Sequence, residues 1–151
     1  MINNHTPQQI ICKQIPFGSS LHEDAIALRR EILRKPLNLD FTELELSNES
    51  DSWHLAALID HNLAGTLVLK PFGNKLCKMR QVAVSSNMQG KGIGKKLVLF
   101  SEEFMAAKGI KKIELHARET AVPFYLSLNY SLIPSMFLEV GIPHFKMFKD
   151  L

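Results

Sequence analysis

Two hydrophobic periods take turns along this chain. "IICKQI" (Ile10–Ile15) reads as a first strand. "SLHEDAIALRREILRKP" then carries Leu21, Ala25, Leu28 and Ile32 at helical spacing, and Pro36 ends the run. Ser20 and Glu23 have the S-x-x-E spacing of a helix capping box. "LNLDFTELELSNESD" is polar and acidic and reads as a loop holding a short helix. "WHLAALID" and "LAGTLVLK" flank Asp60-His61-Asn62 as the arms of a hairpin, and "KLCKMRQVAV" is a further strand.

The helical period returns with Ile93, Leu97, Phe100 and Phe104, at spacings of 4, 3 and 4. Lys108 and Gly109 close that helix with a cation in the last turn and a glycine after it. In "IKKIELHA" the residues Ile113, Leu115 and Ala117 face one way, and Lys112, Glu114 and His116 the other. Strand, long helix, strand is a parallel βαβ unit. "ETAVPFYLSL" reads as a short helix that tolerates Pro123 in its first turn, with Asn129 taking the left-handed end. "YSLIPSMFLEV" and "HFKMFK" read as two last strands. The order predicts a mixed α/β fold, antiparallel first and then one parallel crossover.

Between the strand and the long helix lies "QVAVSSNMQGKGIGKKL", with Gly90, Gly92 and Gly94 among Lys91, Lys95 and Lys96. A dinucleotide fingerprint needs G-x-G-x-x-G at the first helix of a doubly wound sheet. Here the spacing is G-x-G-x-G, after about four earlier strands. A P-loop needs G-x-x-x-x-G-K-[ST], and Gly94-Lys95 is followed by Lys96. The third reading is Q-x-x-G-x-G, met by Gln89, Gly92 and Gly94. There the glycines let backbone approach a pyrophosphate, and the N–H groups of the helix start point at it. A plain glycine turn would leave three glycines and three lysines within seven residues unexplained.

Composition changes this picture little. At 151 residues the chain fits one domain (1–151), and 46% hydrophobic with 22% charged residues is ordinary for a globular protein. A net charge of +3 is too small to argue for nucleic acid, and no basic stripe interleaved with aromatics is present. Cys12 and Cys77 have no metal-ligand spacing and read as reduced, partly buried thiols; no metal is expected. "MINNHTPQQI" lacks a signal-peptide pattern, and no apolar run approaches the ~20 residues of a membrane span, so a cytoplasmic location is expected.

With "MRQVAVSSNMQGKGIGKKL" and "LHARETAVPFYLSLNY" in this order, the chain resembles the GNAT superfamily of acyl-CoA N-acyltransferases. The first block looks like its acetyl-CoA-binding segment. In the second, Tyr125 occupies the family's tyrosine position, and Asn129-Tyr130 stands where Gly-Phe is usual. "LRREILRKPL" and "FLEVGIPHFKM" are similar to the ElaA-like branch of small members. The resemblance implies the GNAT fold: a mostly antiparallel central sheet of about six or seven strands, one parallel βαβ crossover and helices on both faces. It implies an N-acetyltransferase that moves acetyl from acetyl-CoA to a primary amine of a small molecule or protein. A sensor that binds acyl-CoA without turnover would share the fold and is the alternative. Many relatives pair, so a homodimer is a further expectation, although the sequence offers no clear apolar seam.

On that resemblance, Gln89, Gly90, Lys91, Gly92, Ile93, Gly94 and Lys95 cradle the pyrophosphate, and Val82-Ala83-Val84 runs beside the pantetheine. The backbone N–H groups of that strand polarise the thioester carbonyl as an oxyanion hole. Arg118 stands where a further coenzyme A contact is common. Tyr125 is the candidate general acid for the leaving thiolate, a phenol near 10 facing a thiol near about 8.5. For the base or proton relay the candidates are Glu114 and His116 on one strand face, and His144 with Glu139 from the last strands. The acidic Glu43, Glu45 and Glu49 lie in a region that often helps form the acceptor site, and they favour a cationic amine. A water chain is the remaining option. Trp53 reads as core or pocket wall.

Overall fold

In a computed structural model, residues 9–151 are described. The opening "MINNHTPQ", read above for a leader pattern, lies outside them. Seven strands form one sheet: β1 (Ile10–Ile15), β2 (Trp53–Ile59), β3 (Asn62–Phe72), β4 (Leu76–Val84), β5 (Lys112–Arg118), β6 (Ser131–Glu139) and β7 (Ile142–Asp150). Their spatial order is β1-β2-β3-β4-β5-β7-β6. Every pairing is antiparallel except β4 with β5. That parallel pair is joined by the long helix α3 (Ile93–Ala107). Three shorter helices complete the set: α1 (Ser20–Arg29), α2 (Glu43–Ser47) and α4 (Val122–Ser127).

Why these residues fold this way is clearest in β2. Leu55, Ala57 and Ile59 point into the main core with Leu97, Val98 and Met105 of α3. Ala56, between them, packs with Ile15 and with Ala25 of α1 on the other face. Helices therefore cover both faces, and β2 and β3 are apolar almost without alternation, as strands buried on both sides must be. The β2–β3 hairpin turns at Asp60 and His61, both at positive φ (50° and 66°), as a two-residue primed turn requires. Ile113, Leu115 and Ala117 are buried as the period predicts, and Asn129 takes φ 69° at the end of α4.

Three expectations for the helices need correction. The cap of α1 is Ser19, not Ser20: its hydroxyl accepts from the His22 N–H at 3.2 Å and donates to the Pro16 carbonyl at 2.6 Å. The buried face of α1 is His22, Ala25 and Arg29 rather than a leucine stripe. Arg29 is held there by two 2.8 Å hydrogen bonds to the Glu49 carboxylate, a bidentate pair that makes a buried charge tolerable. After Arg29 the helix widens to a π-helical turn (Arg30–Arg34) and tightens to a 3-10 turn (Lys35–Leu37), so Ile32 leaves the predicted stripe. In α3 the buried stripe is broader than predicted and adds Val98, Ser101 and Met105; Phe100 and Phe104 are half-buried.

The edge strand β6 carries Ile133, Met136 and Leu138 exposed, an apolar row that periodicity alone did not reveal. Trp53 packs edge-to-face on Phe104 at 5.5 Å. Cys12 and Cys77 are both free thiols, and burial pushes Cys77 up to about 12.

Candidate active site

The site begins where the parallel pair comes apart. β4 pairs with β5 only from Leu76–Lys112 to Met79–Leu115. Beyond Met79, the edge of β4 that faces β5 has no strand partner, and the two strands diverge around an opening. A bulge drives the parting. Against β3, Thr66 pairs with Ala83 but Val68 pairs with Arg80, so Gln81 and Val82 together oppose Leu67. Gln81 sits at φ 56°, a left-handed conformation that costs energy in a non-glycine residue. Ligands bind at such carboxyl-end crevices of parallel strands.

On one side of the opening lies a cavity of 560 Å³, lined by Val82, Val84, the glycine loop, Phe124 and Tyr125. The loop is shaped by backbone. Gln89 folds back and donates its side-chain N–H to the Val84 carbonyl at 3.2 Å, tying the loop to the strand end. Gly90 (φ 81°) and Gly92 (φ 77°) take conformations that L-residues rarely adopt, and a Cβ on either would point into open space. Gly92 is the N-cap of α3 and has no side chain to occupy the first N–H groups of that helix. Those donors stay available to an anion. A Cβ on Gly94 would meet Phe124 at 3.5 Å and Val84 at 3.6 Å, which is ordinary contact.

The predicted cofactor residues divide. Val82, Val84, Gln89, Gly90, Gly92, Ile93, Gly94 and Lys95 line this cavity. Ala83 does not: it is buried and paired with Thr66. The Lys91 ammonium lies 3.9 Å from the Met88 sulfur, and Lys96 lines a separate surface hollow beside Cys12. Arg118 is engaged elsewhere, donating to the Leu33 carbonyl at 3.0 Å and so tying β5 to the π-helical turn.

On the other side are two smaller hollows of 400 and 140 Å³. Tyr125 lines both the glycine-loop cavity and the smaller of these, so it stands between the two halves. It is the buried residue of α4, with Phe124 and Tyr130 edge-to-face at 5.0 and 5.5 Å. Burial pushes its phenol well above its ordinary value, so it holds its proton throughout the physiological range.

Three proposed proton carriers meet on the acceptor side. His116 Nδ1 lies 2.9 Å from Glu139 Oε1, and His144 Nε2 lies 3.5 Å from Glu139 Oε2. His144 Nδ1 donates to the Ile142 carbonyl at 2.9 Å, which leaves the neutral ring's Nε2 as an acceptor facing the Glu139 carboxylate. For His116 the carboxylate favours the Nδ1–H tautomer and leaves Nε2 as an acceptor, with no hydrogen-bond partner among the described residues. Glu114 is 3.4 Å from the Lys146 ammonium and lines the larger hollow. Of the acidic segment, Glu49 is spent on Arg29, and Glu45 lines only an adjoining hollow. Sequence reasoning missed Arg34, Arg80 and Gln81, which line both of these hollows and the adjoining one. The one signal was "RQ" in "MRQVAV", two polar residues in succession where a strand should alternate, the mark of the bulge.

A seven-stranded mixed sheet splayed at its single parallel pair, with a glycine cradle at a helix start, defines the acyl-CoA transferase class of fold. The chain belongs to the acetyltransferase (GNAT) family, whose model matches residues 19–130. It is 28% identical over 143 residues to the uncharacterized Bacillus subtilis (strain 168) protein YyaT, covering 92% of this chain and 95% of that one. Among solved structures it superposes on Escherichia coli ElaA with a TM-score of 0.79 at 18% identity, covering 93% of this chain and 99% of that one. It superposes on an aminoglycoside 6'-N-acetyltransferase complexed with coenzyme A with a TM-score of 0.76 at 16% identity, covering 93% and 96%. These two likenesses are of fold. Among the described residues, no helix is long and apolar enough to cross a membrane.

Proposed function

We propose that this protein transfers an acetyl group from acetyl-CoA to a primary amine by direct attack. One observation carries the reading: Tyr125 stands between a cavity floored by free helix-start N–H groups and a second hollow walled by His116 and Glu139. The cofactor supplies the thioester. Its pyrophosphate fits the loop from Gln89 to Lys95, and its pantetheine the groove beside Val82 and Val84. Backbone N–H groups on the free edge of β4 are placed to receive the charge that develops on the thioester oxygen.

The bond changes are simple. The amine nitrogen bonds to the acetyl carbon, the carbon–sulfur bond breaks, and the sulfur leaves with the electron pair. An amine must shed a proton to react, and His116 Nε2, its ring held by Glu139, is the acceptor we favour over His144, which is buried with its Nε2 facing the Glu139 carboxylate. Burial widens the gap between the Tyr125 phenol and a thiol, so Tyr125 serves first as a hydrogen-bond donor to the departing sulfur.

The test follows free thiol from acetyl-CoA over a panel of amines. Amine-dependent release is expected. Tight binding of acetyl-CoA with no release over the whole panel would make this an acyl-CoA sensor instead.

A further inference from the structure

Among the described residues around the acceptor-side hollows, the charge without an ion-pair partner is cationic apart from Glu45. Glu45 accepts only from the Thr42 hydroxyl at 3.3 Å, but the other three carboxylates on these walls are paired: Glu114 with Lys146, Glu139 with His116 and His144, and Glu49 with Arg29. Arg34 and Arg80 are not. Among the described residues neither makes an ion pair within 4.0 Å, although five other cations do so with carboxylates besides the two histidines. Arg34 is half-buried, with its guanidinium 4.4 Å over the Phe41 ring and one N–H on the Leu33 carbonyl at 3.1 Å. Phe41 carries Arg29 on the same ring at 4.7 Å. Arg80 is exposed on β4, next to the bulge.

Arg34 and Arg80 line the same three hollows, and Arg34 also feels the charges of two further guanidiniums. Burial lowers the Arg34 value first, Glu45 and Glu139 raise it, and the charges of Arg118 and Arg29 lower it further. Arg29 has its own carboxylate, but Arg34, Arg80 and Arg118 do not. A cluster of cations around a cavity, each with N–H groups to spare, is completed by an anion that presents two oxygens to the fork.

We propose that the acceptor amine carries an anionic oxygen group, a carboxylate or a phosphate, which Arg34 and Arg80 receive while the amine is presented to His116 and Tyr125. The assignment rests on the acetyltransfer reading and names the substrate class of that site. Arg34 is fixed by its stacking on Phe41 and sets the position. Arg80, exposed and unpaired, closes on the anion from the strand side. Gln81, shared by the same hollows, adds an uncharged amide.

The probes are matched amines: propylamine against β-alanine and 2-aminoethyl phosphate, and hexylamine against 6-aminohexanoate. Binding to the CoA-saturated protein is measured by calorimetry, and turnover with acetyl-CoA by thiol release. In at least one set an anion-bearing amine should bind and react roughly 10- to 100-fold better than its partner without the anion, as a charge-assisted hydrogen bond permits. Comparing β-alanine with the phosphate shows which anion the fork takes. Arg80→Gln should cut that ratio about tenfold with Tm unchanged.

Equal or better performance by the amines without an anionic group overturns the proposal. So does a ratio that neither Arg80→Gln nor Arg34→Gln alters. Selective binding of an anionic amine without acetylation would keep the anion site and sink the acetyltransfer reading. Binding of none of the probes sinks the anion site.

Discussion

The side of the cleft proposed for the cofactor is formed mostly by one continuous stretch, Val82 to Lys95, with Ala121, Phe124 and Tyr125 as its facing wall. The acceptor side is built from side chains of the π-helical turn, β4, β5, β6 and β7: Arg34, Arg80, His116, Glu139 and His144. The first kind of site depends on conformation, and a substitution harms it by changing φ or covering an N–H. The second depends on chemistry, and isosteric substitutions there change charge and proton traffic while the fold stands.

The difference can be broken from either side. Tyr125, where the halves meet, has the largest expected effect. Tyr125→Phe keeps the buried ring and should leave acetyl-CoA affinity nearly unchanged while turnover falls about 10²- to 10⁴-fold; calorimetry and thiol release read the two separately. Unchanged turnover would remove Tyr125 from the chemistry.

Glu49→Ala comes next and acts beneath the acceptor side. It leaves Arg29 buried without its bidentate partner, and denaturant unfolding should show a loss of about 3–5 kcal/mol. A change under about 1 kcal/mol would mean that Arg29 turns out to water instead. On the cofactor side, Gly92→Val forces a β-branched residue into φ 77° at a cost of about 1–2 kcal/mol, and adds a side chain at the N-cap position that lines the cavity. Coenzyme A affinity should drop at least about tenfold, with the acceptor side intact. Retained affinity would mean that the loop is not the cradle.

The smallest effect is a pH dependence of stability. His22 and His54 lie beneath the acceptor side, ring centroids 4.5 Å apart, and both are held below their ordinary value, first by burial. Both are neutral when folded, so their contribution is full above the unfolded value of about 6.5 and is lost as the pH falls through the lower folded values. Tm should fall by a few degrees as the pH drops below about 6. His22→Gln should flatten that slope, and a Tm that holds down to about pH 5 would contradict the assignment.

This division also explains what could be read in advance. The glycine loop was legible because its information is local: Gln89, Gly92 and Gly94 act through spacing, and spacing is visible in one chain. The strands β2 to β5 were legible for the same reason. The acceptor side was not, because Arg34 and Arg80 are ordinary surface arginines until a π-helical turn and a bulge bring them to one cavity. The cap of α1 misled because Ser19 and Ser20 are adjacent, and the Pro16-Phe17-Gly18 turn selects the first. Its buried face misled because a distant carboxylate, Glu49, lets Arg29 take a core position. Of Glu43, Glu45 and Glu49, which suggested a cationic acceptor, Glu49 is taken by Arg29.

The most direct test of the account follows the acetyl group itself. Acetyl-CoA labelled in the acetyl carbons is incubated with the protein and the amine panel, and the products are resolved by mass spectrometry. The account predicts label in an N-acetylated amine, matched mole for mole by free coenzyme A. Label that stays on coenzyme A, or that leaves only as acetate, would contradict it.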